Sequence, residues 1–308
     1  MRKNRMMAMM MAGAMAASLA ACGSSSTPEA TTAAAAETTA AAADTTAAAE
    51  ETTAAGTETT AAAADDDVKN ASNVQPEIPE GATVLKLGMT TNEQDSFMIA
   101  AVKFAQDVQD KTDGKYAIEL HPNGDLGGER DMLESMQMGT LDMGIVTSGP
   151  FVNFSSDMGV LDMPYLFENK EQAYAVLDGE VGRSLLDTLE GSGLKGLAYA
   201  ERGFRDLTNN VRPIKTAEDV KGLKIRVMEN EVYQKAFDAL GVNATPMAWA
   251  DALTALQQGT VEGQENPMVD SLNYAFDEVC DYWIKTNHVY SCNLLIMDRN
   301  YFNSLPED

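Results

Sequence analysis

One stretch of the sequence limits where a folded core can form. Residues 23–80 consist mainly of alanine, threonine and acidic residues and contain almost no large apolar side chains. Such a segment cannot bury enough apolar surface to offset the conformational entropy lost on ordering. We therefore predict a disordered tether, with a reach on the order of 40 Å if it behaves as a random coil. Any folded structure is then confined to residues 81–308.

Residues 1–22 have the pattern of an export signal. A basic start is followed by an apolar run rich in methionine and alanine, which is typical of a secretory signal peptide and too short for a confident membrane span. The ending LAAC is similar to the lipobox of bacterial lipoproteins, and Cys22 would then be the acylated first residue of the mature chain. An ordinary signal peptide with an incidental cysteine is the alternative.

The charge of the chain restricts its partners. A formal net charge of −25 disfavours binding to nucleic acid or to anionic lipid. We predict no nucleic-acid partner, and contact with a membrane only through the lipid anchor. Small anionic ligands remain compatible, because charges more than about 8 Å away are largely screened at physiological salt.

Cysteine and histidine spacing predicts neither a metal site nor a cofactor site. With Cys22 acylated, Cys280 and Cys292 form either a disulfide or two separate buried thiols in an exported protein. Phosphate loops, nucleophile elbows and zinc-binding helices are absent from the sequence, so we predict that the protein is not an enzyme. Glu129 and Glu134 are interpreted as a solvated helix face. The glycines of GDLGGERD are interpreted as a loop and helix start, with backbone binding of an anion as the alternative.

Strand and helix patterns alternate through the folded part. The segments TVLKLGM, SFMIAAVKFAQDVQDK, KYAIELH, GGERDMLESMQMG and TLDMGIV predict strand, helix, strand, helix, strand, which indicates a largely parallel sheet. A second set follows. It comprises a helix over KEQAYAVLDGEVGRSLLDTLEGSG, the strands LKGLAYAERG, GFRDLTNN, GLKIRVM and VNATPM, the helices NEVYQKAFDALG and WADALTALQQG, the strand TVEGQENP and a final extended segment. Two such sets predict an α/β fold with two lobes and a ligand cleft between them.

A few polar or aromatic residues stand at places that suit ligand binding. In GLKIRVM, apolar residues alternate with Lys224 and Arg226, so both cations either face water or Arg226 faces a cleft. Arg205 in GFRDLTNN, Asn266 in GQENP and Trp249 before a helix are further candidates. Arginine suits a carboxylate because its planar guanidinium matches both oxygens. A structural ion pair for an arginine and a core position for the tryptophan are the alternatives.

Six stretches of the folded part stand in a specific order and spacing. They are GDLGGERDMLESMQMGTLDM, VLDMPYLF, GFRDLTNNVRPIKTAEDVKGLKIRVM, ALGVNATPM, ALTALQQGTVEGQENP and TNHVYSCNLLIM. Together they resemble the extracytoplasmic solute-binding proteins of TRAP (tripartite ATP-independent) transporters, from residue 84 to the end. The resemblance implies a periplasmic-binding-protein-like fold with lobe I at 81–203, lobe II at 204–291 and a return to lobe I at 292–308. Relatives continue from there into further C-terminal helices.

The resemblance also implies roles for the candidate residues. Arg226 would clamp a ligand carboxylate, Arg205 would be a second cationic contact near the hinge, and Asn266 would hydrogen-bond the same end of the ligand. Trp249 falls where the family often has an aromatic wall.

Contacts from the first lobe vary within the family, and Asn92 and Ser148 are candidates there. The implied function is capture of a small organic acid and its delivery to TRAP membrane subunits. Dicarboxylates, sugar acids and keto acids all remain open. A sensor subunit for a signalling receptor, or an enzyme of sugar-acid metabolism, is the alternative.

Overall fold

The computed structural model describes residues 72–307. The predicted signal peptide, Cys22 and most of the tether lie outside the described residues. All the described residues belong to one compact unit. No helix within them is long and apolar enough to cross a membrane.

Eight strands and eight α-helices form the described fold. The strands are β1 (Thr83–Met89), β2 (Tyr116–His121), β3 (Met143–Thr147), β4 (Leu194–Asn209), β5 (Lys224–Val227), β6 (Asn243–Pro246), β7 (Gly263–Asn266) and β8 (Tyr282–Asp298). The helices are α1 (Ser96–Lys111), α2 (Glu129–Gln137), α3 (Lys170–Leu177), α4 (Glu180–Thr188), α5 (Glu231–Ala239), α6 (Trp249–Gln257), α7 (Met268–Asn273) and α8 (Arg299–Phe302). Short 3₁₀ turns connect several of them.

The strands form one mixed sheet in the order β2-β1-β3-β8-β4-β7-β5-β6. At one end β1 pairs in parallel with β2 and β3, and at the other end β5 pairs in parallel with β6 and β7. In the centre β8 runs antiparallel to β3 and β4, and β4 runs antiparallel to β7. The parallel pairing predicted from the first set of segments is confirmed for β1, β2 and β3, and two long antiparallel strands in the centre join the two parallel sets of the two-lobed α/β fold.

The two long strands also account for smaller differences from the sequence prediction. LKGLAYAERG and GFRDLTNN were predicted as separate strands, but both belong to β4, and its pairing with β8 shifts register between Glu201 and Gly203. A bulge of this kind bends a strand without ending it. The lobe limits at 203/204 and 291/292 fall inside β4 and β8 and stay predictions. The single helix predicted over residues 170–193 is two helices, since α3 ends before Gly179 and α4 begins after it.

The core of the second lobe explains the orientation of β5. Leu223, Ile225 and Val227 are buried and belong to the same apolar cluster as Tyr233 and Phe237 of α5. Burying one such aliphatic side chain contributes about 1.5–3 kcal/mol. Because successive strand side chains point to opposite faces, this packing turns the residue between Ile225 and Val227 away from the core.

Cys280 and Cys292 are separate, buried thiols. Of the two possibilities left open by the sequence, the structure therefore has the unpaired one. Within residues 72–307, no group of three or more histidine, cysteine, aspartate or glutamate side chains is arranged to hold a metal ion.

Candidate functional site

Two adjoining cavities lie where the loop before α2 approaches β5 and the start of α6. The larger has a volume of about 370 Å³ and the smaller about 30 Å³. Both are bordered by Thr90, Glu129, Arg226, Met228 and Trp249. The larger volume suits a small organic ligand, and the smaller one suits a single polar group.

Arg226 faces both cavities with most of its side chain buried, at 2% exposure. Its Nε and Nη2 atoms donate hydrogen bonds to the Met247 carbonyl oxygen, at 2.9 and 2.6 Å. No carboxylate within residues 72–307 lies within ion-pair distance of it. Burial lowers the pKa of Arg226 to about 10, so the guanidinium is still charged at neutral pH. Of the two readings of GLKIRVM, the structure has the one with Arg226 in a cleft, while Lys224 is exposed.

Arg205 borders the smaller cavity, but its charge is already balanced. The guanidinium forms a buried ion pair with Glu265 and also donates from Nη2 to the Glu265 backbone carbonyl at 2.6 Å. Burial opposes its charge, yet Glu265 holds the pKa of Arg205 above its ordinary value. Burial likewise opposes the charge of Glu265, and Arg205 and His288 hold the pKa of that carboxyl below its usual range. The structural ion pair considered for a strand arginine is therefore present here.

Arg202 also borders the smaller cavity and was not singled out from the sequence. It lies between Asp95, the N-cap residue of α1, and Asp270 of α7. Its Nη1 atom is 3.1 Å from Asp95 Oδ2 and its Nε atom is 2.9 Å from Asp270 Oδ2. Burial raises the pKa of Asp270 to about 6, against the opposing effect of Arg202. Arg202 thus ties the start of α1 to α7 across the central strand β4.

Asn266 and Trp249 are both close to Arg226. Asn266 borders the smaller cavity, and its Nδ2 atom donates to Gln264 Oε1 at 2.7 Å. The indole of Trp249 lies near the Arg226 guanidinium, with Cζ 5.9 Å from the ring centroid. It stacks on Phe276 at 5.3 Å and meets Tyr274 edge-on. The structure therefore brings together Arg226, Arg205, Asn266 and Trp249.

Asn92 and Ser148, the candidates from the first lobe, border neither of the two cavities. The Asn92 side chain accepts a hydrogen bond from the Gln94 backbone in the turn that leads to α1. Ser148 is fully buried, and its hydroxyl donates to Asp162 at 3.0 Å. Both side chains are thus engaged in local structure rather than presented to a ligand.

Two other residues from the same half of the chain do border the cavities. Thr91 is buried and borders the smaller cavity, and its Oγ1 has no hydrogen-bond partner among the described residues. An unpaired buried hydroxyl costs free energy unless something else satisfies it. Glu129, predicted as part of a solvated face, instead borders both cavities and accepts hydrogen bonds from Thr147 N–H at 3.0 Å and from Thr147 Oγ1 at 2.7 Å.

The glycine loop before α2 forms one wall of the larger cavity. Gly124 and Gly127 have φ angles of +72° and +102°, which side chains larger than glycine rarely adopt. The Gly127 N–H donates to the Gly124 carbonyl at 2.9 Å, and the Gly128 N–H donates to the Asp131 carboxylate at 3.0 Å. These amides are used inside the loop, which supports its interpretation as a loop and helix start.

Most of the described part of the chain is similar to known proteins. Residues 87–308 match the family model described as bacterial extracellular solute-binding protein, family 7. A solute-binding protein of Verminephrobacter eiseniae is 42% identical over 224 residues, which are 73% of this chain and 67% of the relative. The 2,3-diketo-L-gulonate-binding periplasmic protein of Escherichia coli is 39% identical, over 74% of this chain and 69% of the relative.

A solved structure gives the same result for the fold. It is a TRAP periplasmic solute-binding protein from Polaromonas bound to D-erythronate, with 41% sequence identity and a TM-score of 0.71. The match covers 73% of this chain and 74% of that chain.

Proposed function

Because the chain belongs to the bacterial extracellular solute-binding proteins of family 7, we propose that its cleft captures a small organic acid through Arg226. The protein is an extracytoplasmic receptor of the TRAP type, and its partners are organic acids and the membrane subunits of a TRAP transporter. The observation that carries the proposed site is one buried guanidinium, without a carboxylate partner in the described chain, at the wall of a cavity of about 370 Å³.

The proposed clamp is the edge of Arg226 that Met247 leaves unused. Met247 accepts from Nε and Nη2, so Nη1 and the second hydrogen of Nη2 are left to meet two carboxylate oxygens. Hydrogen bonds to charged groups contribute about 1.5–3 kcal/mol each. Asn266 and the unpaired hydroxyl of Thr91 are the proposed further donors at this end, and Trp249 is the proposed wall along the ligand.

Ligand binding would favour the closed arrangement of the lobes. The cavities are bordered from the first half of the chain by Thr90, Glu129 and the glycine loop, and from the second half by Arg226 and Trp249. A ligand that contacts both sets binds the closed state better than an open one, so it shifts the population toward closure. The membrane subunits could then distinguish the loaded receptor from the empty one.

Substitution of Arg226 tests this site. We expect that a carboxylate from a screened panel raises the melting temperature of the native protein, and that Arg226→Ala removes this shift while the empty protein stays folded. Lys224→Ala, which changes an exposed cation on the same strand, is the control and should keep the shift. Unchanged affinity in Arg226→Ala would return Arg226 to a structural role.

Two finer features are part of the proposal. The LAAC sequence supports acylation at Cys22 and therefore attachment to the bacterial cell membrane through lipid; mass spectrometry of the mature protein should find a lipid-modified N-terminal cysteine, which Cys22→Ala should abolish. The protein would also release its ligand chemically unchanged, and finding a product after incubation with purified protein would contradict this.

A further inference from the structure

The charged groups around the cleft indicate which kind of acid it accepts. We propose that the cleft selects a hydroxylated acid with a single carboxylate, and that Glu129 and Glu229 reject a second carboxylate. This rests on the proposed function, because it concerns the ligand of the same cleft. The proposal also favours sugar acids of the aldonate and uronate kind over dicarboxylates. The sequence alone does not distinguish these two classes of ligand.

Of the arginines that border the cavities, one provides a positive charge that is available to a ligand. Three arginines border the cavities, and Arg205 is neutralised by Glu265. Arg202 lies between two buried carboxylates, those of Asp95 and Asp270. Among the arginines that border the cavities in residues 72–307, Arg226 is thus the one without a carboxylate within ion-pair distance. One ligand carboxylate can be neutralised there, and a second would find no free cation.

A further cation lies close by but does not change this count. Arg130 follows Glu129 on α2, is exposed, and forms an ion pair with Glu134 at 3.0 Å. It borders neither of the two cavities. A side chain in water that is already paired with a carboxylate adds little attraction for a buried ligand.

Negative charge borders the space that remains once a carboxylate occupies Arg226. Glu129 and Glu229 both border the larger cavity. They act on Arg226 through space, since each raises its pKa against the larger effect of burial, but neither forms an ion pair with it. A second ligand carboxylate in this cavity would therefore be repelled by two carboxylates in a partly desolvated space.

The same two carboxylates suit hydroxyl groups. Thr147 uses one acceptor site on each Glu129 oxygen, and a carboxylate has about four such sites, so two remain. Glu229 makes no side-chain hydrogen bond or ion pair with any residue from 72 to 307. A hydroxyl can donate to these oxygens, whereas an ionised carboxylate has no proton to donate. Thr90 and Asn123 also border this cavity and add neutral polar groups.

The apolar part of the cavity fits the carbon chain of such a ligand. Met228, Met247, Trp249, Leu253 and Phe276 border the larger cavity. A polyhydroxy acid offers both C–H groups and hydroxyls, which suits a cavity bordered by apolar side chains as well as by acceptors. An unhydroxylated acid would leave the remaining acceptor sites of Glu129 and those of Glu229 without donors in a partly desolvated space.

Matched pairs of acids test the proposal. An aldonate and its aldarate have the same carbon chain and hydroxyls, and they differ only in whether the last carbon is an alcohol or a carboxylate. We would measure, by isothermal titration near neutral pH, D-erythronate against meso-tartrate and D-gluconate against D-glucarate, with uronates added to the panel. The expected result is that at least one monocarboxylate binds, and binds at least about tenfold more tightly than its dicarboxylate partner.

Variants then assign the selectivity to residues. Glu129→Gln keeps an oxygen for Thr147 and removes the charge. We expect the ratio of the dicarboxylate Kd to the monocarboxylate Kd to fall by about tenfold in this variant, and to fall further in the double variant with Glu229→Gln. Glu168→Gln, which changes an exposed carboxylate that borders neither cavity, is the control and should leave the preference unchanged.

Failure of this inference can be told from failure of the proposed function. Equal or tighter binding of the dicarboxylates, or binding of unhydroxylated acids alone, would overturn the selectivity and leave the receptor function standing. A preference that persists in the double variant would overturn the assignment to Glu129 and Glu229. If no acid binds and Arg226→Ala changes nothing, both proposals fail.

Discussion

The Arg226 guanidinium donates two hydrogen bonds to the backbone carbonyl of Met247, from Nε at 2.9 Å and from Nη2 at 2.6 Å. Met247 lies in the turn between β6 and α6, two residues before Trp249. The arginine that faces the cavity is therefore also the residue that fixes the turn carrying the aromatic wall. A carbonyl oxygen carries no net charge, so this contact holds Arg226 in place and leaves its positive charge available to a ligand.

Replacement of this arginine by lysine tests the importance of shape apart from charge. Arg226→Lys keeps the charge but cannot donate to Met247 and to both oxygens of a carboxylate at once. We expect affinity for the ligand found in the carboxylate screen to fall by at least about thirtyfold, or about 2 kcal/mol. Isothermal titration measures this, with Lys224→Arg as the control. Near-native affinity would rule out the two-oxygen geometry.

The pair Arg205–Glu265 is expected to matter more for folding than for ligand contact. Glu265→Gln leaves the Arg205 charge buried without a carboxylate, and loss of one partner of a buried pair costs about 3–5 kcal/mol. Urea denaturation should show a loss of that order in the free energy of unfolding. Glu231→Gln, which breaks an exposed pair with Lys235, should change it by less than about 1 kcal/mol. Similar small losses in both variants would show that the buried pair is not needed for stability.

The unpaired hydroxyl of Thr91 predicts opposite effects on folding and binding. Thr91→Val removes a buried group that has no partner in the described protein, so the empty protein should be as stable as the native one or up to about 1–2 kcal/mol more stable. Ligand affinity should nevertheless fall about five- to tenfold. Thr208→Val is the matched control, because the Thr208 hydroxyl bonds with Gln264, and its loss should destabilise the protein. A destabilised Thr91→Val with native affinity would contradict the prediction.

Asp162 should make stability depend on pH. Burial raises its pKa to about 7, although Ser148 and Asn230 donate hydrogen bonds to it and Arg205 favours its charged form. The folded protein thus binds this proton more tightly than the unfolded chain. The contribution to stability is fully present below the ordinary carboxyl pKa near 4, and it is lost as the pH rises through about 7.

The measurement compares urea denaturation of the native protein and Asp162→Asn. Asparagine can accept from Asn230 and donate to the Ser148 hydroxyl, so the buried network can persist. Between about pH 5 and about pH 8 the native protein should lose at least about 1 kcal/mol more stability than the variant. Asp270, whose pKa is about 6, shifts both proteins in the same direction and is removed by the comparison. Parallel pH profiles would contradict the prediction for Asp162.

Much of the fold could be predicted because its local patterns are strong. The alternation in TVLKLGM and GLKIRVM and the apolar spacing in SFMIAAVKFAQDVQDK correspond to β1, β5 and α1. The central antiparallel pairing could not be predicted in the same way. It depends on β4 and β8 meeting across about ninety residues of chain, and periodicity carries no information about the partner of a strand.

The site was predictable where a residue type was unusual for its position. An arginine in an apolar strand pointed to Arg226, but nothing near Arg205 in the sequence indicated that Glu265 would neutralise it. Thr91 and Glu129 were missed because a threonine after a strand and a glutamate at a helix start are common. Asn92 and Ser148 were predicted as ligand contacts from the first lobe, but their side chains form hydrogen bonds with Gln94 and Asp162.

The strands β4 and β8 have one further consequence. Residues 293–297 of β8 pair with β3, residues 206–209 of β4 pair with β7, and the two strands pair with each other along their length, so neither lobe possesses a complete set of strands of its own. Cutting the chain at any one point would not separate the lobes into self-sufficient halves. The molecule should therefore melt as one cooperative unit, with a single calorimetric peak.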